Sequence, residues 1–211
     1  MLNESLAGML YRLPALLVAL VFHEYAHAKV ADFLGDPTPR FHGRLTLNPL
    51  NHLDPLGMLM FWLFRFGWAK PVPVNPRYFR GDKRRGAVLV SLAGPATNLV
   101  IAFVSLILFK LLVPYFLTDI VVYHLVGIIQ MTFIFNVFLA VFNMIPLPPL
   151  DGSKVLAGLL PAGQAYAFQR LEQYGPLLLM LLILTRATGY ILIPMANIVI
   201  SVLDAIVELL I

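Results

Sequence analysis

The sequence predicts an all-α polytopic membrane protein, with about five transmembrane helices and a small re-entrant β-structure between the first two spans. Three observations predict it. The 211 residues are 60% hydrophobic with a mean hydropathy of +0.84, above the apolar share of soluble domains. Apolar runs near 6–30, 87–113, 120–147, 170–187 and 189–211 approach or exceed the roughly 20 residues a spanning helix needs. Between the first two runs the pattern changes to short alternating stretches bounded by proline and glycine.

The first run has no basic segment ahead of a small-residue cleavage site and ends in ionisable residues, so it is expected to be a retained helix rather than a signal peptide. Gly35-Asp36-Pro37 and Pro39 stop it. Arg44-Leu45-Thr46-Leu47-Asn48 alternates polar and apolar, and Lys70-Pro71-Val72-Pro73-Val74-Asn75 does so more loosely. Each is a strand candidate, the second confined to an edge by its prolines, where an extended peptide would find unpaired backbone groups. Leu56 to Phe66, about half a span and interrupted by Arg65, reads as a re-entrant or interfacial segment.

The second span opens with Ser91-Leu92-Ala93-Gly94-Pro95-Ala96-Thr97-Asn98, whose small residues allow close helix approach. The third carries Asn136 and Asn143 and ends in Pro146-Leu147-Pro148-Pro149-Leu150-Asp151-Gly152, which cannot continue a regular helix. Only Thr188 and Gly189 separate the last two runs. With no internal repeat, linker or low-complexity tail, residues 1–211 read as one membrane domain, with core motifs in 6–155 and further spans over about 170–211.

Charge sets orientation. The net +4 is concentrated in Lys70, Arg77, Arg80, Lys83, Arg84 and Arg85. In a chain this apolar, such a cluster points to the positive-inside rule and not to nucleic acid. The 31–86 loop is then cytoplasmic, Lys154 and Arg170 fall in a second cytoplasmic loop, and His27 lies toward that side; Arg186, at an expected outer turn, runs against the bias.

The first span ends in His23-Glu24-Tyr25-Ala26-His27. Two imidazoles four residues apart share one helix face and can bind one zinc ion, while the glutamate between them handles protons. Three ionisable groups at a membrane helix end are expensive unless they meet a metal, a polar cavity or a partner, the alternative being simple anchoring at the interface. The chain has no cysteine, so a third ligand must be nitrogen or oxygen. The candidates are Asp32, Asp36, His42, His52, Asp54, His124, Asp151 and the C-terminal acidic residues. Asp151 follows an apolar span on the same expected side as His27, although an Asp-Gly pair also reads as a turn or cap. Asn98 and Asn143 suit either substrate contacts or bridges between helices.

Taken together, His23-Glu24-x-x-His27, Gly94-Pro95-x-x-Asn98 and Asn143-x-x-Pro146 leading into Leu150-Asp151-Gly152 resemble the site-2 protease family of intramembrane zinc metalloproteases, peptidase family M50. The resemblance covers roughly residues 6–155. It implies that Asp151 completes a one-zinc site with His23 and His27, that Glu24 is the catalytic acid/base, and that Asn98 and Asn143 line the substrate path. It further implies a membrane protein substrate with a locally unwound transmembrane segment. The 41–76 region resembles the family's re-entrant β-structure, and the chain leaves no room for a PDZ or CBS domain. That makes it similar to compact bacterial or archaeal members, which implies the plasma membrane of a prokaryote. A zinc transporter or metal-binding membrane protein without proteolytic activity is the alternative, but spans two to five hold few ionisable residues to continue an ion path.

Overall fold

The computed structural model describes residues 5–64, 68–117, 119–185 and 187–211. Arg65 and Arg186 lie outside the described residues. The helices run in the order α1 (Ser5–Phe33), α2 (Thr38–Phe41), α3 (Pro55–Phe64), α4 (Lys83–Leu112), α5 (Ile120–Asn143), α6 (Asp151–Leu159), α7 (Ala162–Gln169), α8 (Gly175–Leu184) and α9 (Ala187–Glu208).

Helices α1, α4 and α5 pack against one another, α6 packs on α4, and α9 packs on α4 and α5. Close approach follows from small side chains. Along α1 the residues at every fourth position from Ala15 through Ala19, His23, His27 and Ala31 are buried, which makes one stripe down one face. Opposite it, α4 buries Ser91, Gly94, Asn98, Ala102 and Ser105. The apolar core is built from Ala102 and Leu106 of α4, Phe133, Val137 and Val141 of α5, and Ala196 and Val207 of α9. Val100, Val104, Ile120, Val121, Ile198 and Val202 are exposed on the outside of the bundle. Such a surface invites aggregation in water but meets no penalty against lipid tails.

Two expectations about the fold are corrected. Among the described residues three helices, not five, are long and apolar enough to cross a membrane: Lys83–Tyr115, Ile120–Asn143 and Gly189–Glu208. Helix α1 is 29 residues long and carries His23, Glu24, His27 and Lys29 in its second half. The 170–187 run divides into a 3-10 turn over Arg170–Tyr174 and the 10-residue α8, about half the length of a span.

The second correction concerns the β-structure: there is no strand among the described residues, and the β-type pairing present is an isolated antiparallel bridge between Leu53 and Ala69. The reason is chemical. Pro71, Pro73 and Pro76 have no N–H to give a ladder. Residues 68–75 form instead an extended strap held mostly by side chains. At one end, the Lys70 N–H donates to His52 O at 2.8 Å, and the buried Arg44 donates to the carbonyls of Asn51 and Lys70. At the other, the Asn75 N–H donates at 2.6 Å to Asp36, a fully buried carboxylate that also takes the Thr38 N–H and hydroxyl. Of the Leu56 to Phe66 run, read as about half a span, the described residues 56–64 lie in α3.

Candidate metal centre

The helical spacing brings the two histidines together, and the broken end of the third core helix brings the carboxylate to them. Helix α5 stops at Asn143; the Pro146–Pro149 stretch turns the chain, and α6 starts at Asp151 itself. The turn is tight at Gly152, where a Cβ would collide with the Met144 carbonyl. His23, His27 and Asp151 are all buried, and their ligand atoms lie within 4.8 Å of one another. His23 Nε2 and His27 Nε2 stand 3.0 Å apart, and Asp151 Oδ2 is 3.2 Å from the first and 3.1 Å from the second.

The proton positions on these imidazoles follow from their outer neighbours. His27 Nδ1 faces the Val90 carbonyl at 2.7 Å. A carbonyl only accepts, so Nδ1 carries a proton, which in the neutral ring leaves Nε2 as the acceptor. His23 Nδ1 faces Asn98 Oδ1 at 2.6 Å. The orientation of that carboxamide is fixed by its other end, because Asn98 Nδ2 donates to Ala19 O at 3.0 Å and to Asn136 Oδ1 at 2.7 Å, while Asn136 Nδ2 donates to Thr132 O at 2.8 Å. Ala19 and Thr132 present carbonyls, which cannot donate, so the chain of bonds has one sense, and in the neutral ring His23 Nε2 is likewise left as the acceptor.

With both rings neutral, three acceptors converge at 3.0–3.2 Å, and Asp151 Oδ2 is buried without a hydrogen-bond partner. Lone pairs repel at that spacing unless a cation lies among them. The donor set of two imidazole nitrogens and one carboxylate oxygen, each imidazole held from behind, suits zinc. Gly94 makes the room: a Cβ there would lie 2.6 Å from His23 Cε1 and 2.6 Å from His27 Nε2.

The centre opens on a cavity of about 220 Å³ lined by His23, Glu24, His27, Val72, Asn143 and Asp151, among others. Glu24 lies beside the ligands and accepts the Val72 N–H on Oε2 at 3.0 Å, so the strap's backbone orients this carboxylate at the cavity wall. Asn143 lines the same cavity and donates from Nδ2 to Leu139 O at 3.0 Å. Asn98 is fully buried behind His23 and is not among the cavity's lining residues. Of the other candidate ligands, Asp36 and His52 are bound up in the strap's anchors, Asp32 pairs with Arg40, and His124 bonds Tyr11.

Comparison with known proteins agrees with this geometry. The description of Peptidase family M50 matches residues 115–185, which include Asn136, Asn143 and Asp151. YwhC of Bacillus subtilis, named as a candidate zinc metalloprotease, is 40% identical over 199 residues, 93% of this chain and 90% of the relative. The chain belongs to peptidase family M50. Two Rip2 proteins of the same designation align with this M50 chain. That of Mycolicibacterium smegmatis is 31% identical over 176 residues, covering 81% of the chain and 65% of the relative. That of Mycobacterium tuberculosis strain H37Rv is 32% identical over 174 residues, covering 80% and 64%. No solved structure matches the chain.

As an M50 member the protein is an intramembrane zinc metalloprotease that acts on membrane protein substrates in a lipid bilayer. Nothing favours the transporter alternative. The residues that the motifs alone did not reveal are Val72, Val90, Ala19 and Thr132, all of which act through the backbone. Asn136 was legible only as a polar group in an apolar span.

Proposed function

We propose that His23, His27 and Asp151 hold the zinc ion and that Glu24 moves the protons of peptide-bond hydrolysis. The observation that carries this reading is the buried convergence of two imidazole nitrogens and a carboxylate oxygen at 3.0–3.2 Å, beside a second carboxylate that the Val72 N–H orients. Zinc bound there supplies Lewis-acid polarisation and lowers the pKa of water. The chain's own groups do the rest. Glu24, aimed by the Val72 N–H, takes a proton from the attacking water and delivers it to the departing amine.

Asn143, on the cavity wall, contacts the substrate backbone. Asn98 acts one step back, holding His23 in the tautomer that leaves Nε2 bare, a positioning role in place of the substrate contact its motif implied.

A transmembrane helix has its carbonyls tied in internal bonds, where attacking water cannot act on them. The substrate segment therefore enters unwound. The Lys and Arg cluster over 70–85 supports a cytoplasmic-side site, and the bacterial relatives support the plasma membrane of a prokaryote.

The test is Glu24→Gln in purified protein presented with a transmembrane substrate. Retained zinc with cleavage lost by 10²-fold or more is expected; unchanged cleavage removes Glu24 from the role.

A further inference from the structure

A second groove adjoins the metal cavity. It is about 580 Å³ in volume and runs between the first turns of α4 and the α6–α7 pair. Pro76, Ala87 and Lys154 line both spaces, so a chain leaving the cavity past Lys154 enters the groove directly. There it meets Lys83 and Arg84 as well as Lys154, against a single acidic side chain, Glu172.

These charges are free to act on a guest. Among the described residues no carboxylate lies within ion-pair distance of Lys83, Arg84 or Lys154. Arg84 is held in place by donating from Nη2 to Ala157 O at 3.0 Å, with the Asp82 carboxylate close enough to feel its charge but outside ion-pair distance.

We infer that the groove of Lys83, Arg84 and Lys154 is a subsite for acidic residues in the substrate segment flanking the scissile bond. This rests on the proteolytic reading of the adjoining cavity and adds the chemistry of the substrate to it. The charge pattern gives the subsite discriminating value. The positive-inside rule that concentrates Lys and Arg in this enzyme's 70–85 region concentrates them equally in the same-side flanks of ordinary membrane proteins. A basic groove repels those flanks and accepts the minority that carry Asp or Glu there, which is selection by repulsion as well as attraction. Anionic lipid headgroups are the competing occupant.

The test uses the full-length protein in vesicles of zwitterionic lipid and a series of transmembrane substrates differing only in two flanking residues: Glu-Glu, Gln-Gln or Lys-Lys. Lys83 serves for the variant because it lines the groove and not the metal cavity. Wild type is expected to cleave the Glu-Glu substrate about tenfold faster in kcat/KM than Gln-Gln, and Lys-Lys slowest, with the preference weakening as salt rises. Lys83→Glu is expected to lose the acidic preference and to gain on Lys-Lys relative to Gln-Gln. Lys83→Gln is a second variant, expected to lose the preference without reversing it.

Equal cleavage of all three substrates by wild type overturns the subsite while leaving the protease reading intact. A charge preference present only when anionic lipid is added also overturns it, in favour of the lipid. Failure to cleave even Gln-Gln with zinc bound strikes at the proteolytic reading instead.

Discussion

Asn98 Oδ1 accepts the Nδ1 proton of His23 at 2.6 Å, so a carboxamide on α4 decides which nitrogen of an α1 histidine is left for the proposed metal. Outer partners of this kind set ligand orientation and basicity, and their loss costs about 10–100-fold in metal affinity. Asn98→Leu is expected to weaken zinc binding by that amount, and Asn98→Asp by no less, because its second oxygen would face the Ala19 and Asn136 oxygens that Nδ2 now bonds. Competition with a chelator of known affinity measures both. Equal affinity in Asn98→Leu would show that His23 needs no such support.

Gly94 tests the packing of the centre independently of its ligands. A Cβ at that position lies 2.6 Å from atoms of both imidazoles, whereas one at Gly163 has nothing within 4 Å. Gly94→Ala is expected to lose zinc and activity together, and Gly163→Ala to keep both. Zinc content by elemental analysis distinguishes the outcomes, and normal occupancy in Gly94→Ala would contradict the geometry.

The strap's single bond to Glu24 makes a narrower claim. Val72→Pro removes the N–H that Oε2 accepts while leaving the carboxylate, the ligands and the extended backbone in place. The expected result is a lower kcat with zinc affinity unchanged. A loss confined to KM would assign Val72 to substrate binding alone.

Outside the membrane, Asp82 caps α4 by accepting the Arg84 N–H at 2.8 Å and the Arg85 N–H at 3.1 Å. Those bonds, with the guanidinium charges nearby, hold its carboxyl below the usual carboxylate range. A depressed folded-state pKa means the stabilisation is fully present above the unfolded value and is lost as pH falls through the folded one. Thermal melts from neutral to acid pH are expected to show a loss that Asp82→Asn, a cap without a titrating group, does not share. Parallel pH profiles would remove Asp82 from the acid sensitivity.

Much of the centre was legible because its chemistry is local in sequence: His23, Glu24 and His27 sit one helical turn apart. Asp151 was not, since an Asp-Gly pair after prolines looks the same whether it caps a helix or binds a metal. Only the family resemblance linked it to residues more than 120 positions away. Alternation over 44–48 and 70–75 suggested strands, but period describes side chains, whereas a sheet needs N–H donors, and Pro71, Pro73 and Pro76 withhold them. The count of spans differs for a related reason: hydropathy finds apolar runs without seeing that one carries His23, Glu24, His27 and Lys29 in its second half and that another is a 3-10 turn followed by the 10-residue α8.

The most direct test of the account is anomalous scattering at the zinc edge from crystals of the Glu24→Gln protein. The expected result is one peak, at about 2.0–2.2 Å from His23 Nε2, His27 Nε2 and an Asp151 carboxylate oxygen, with a position open toward the cavity beside residue 24. A zinc peak bound elsewhere, or one lacking Asp151 as a ligand, would contradict it.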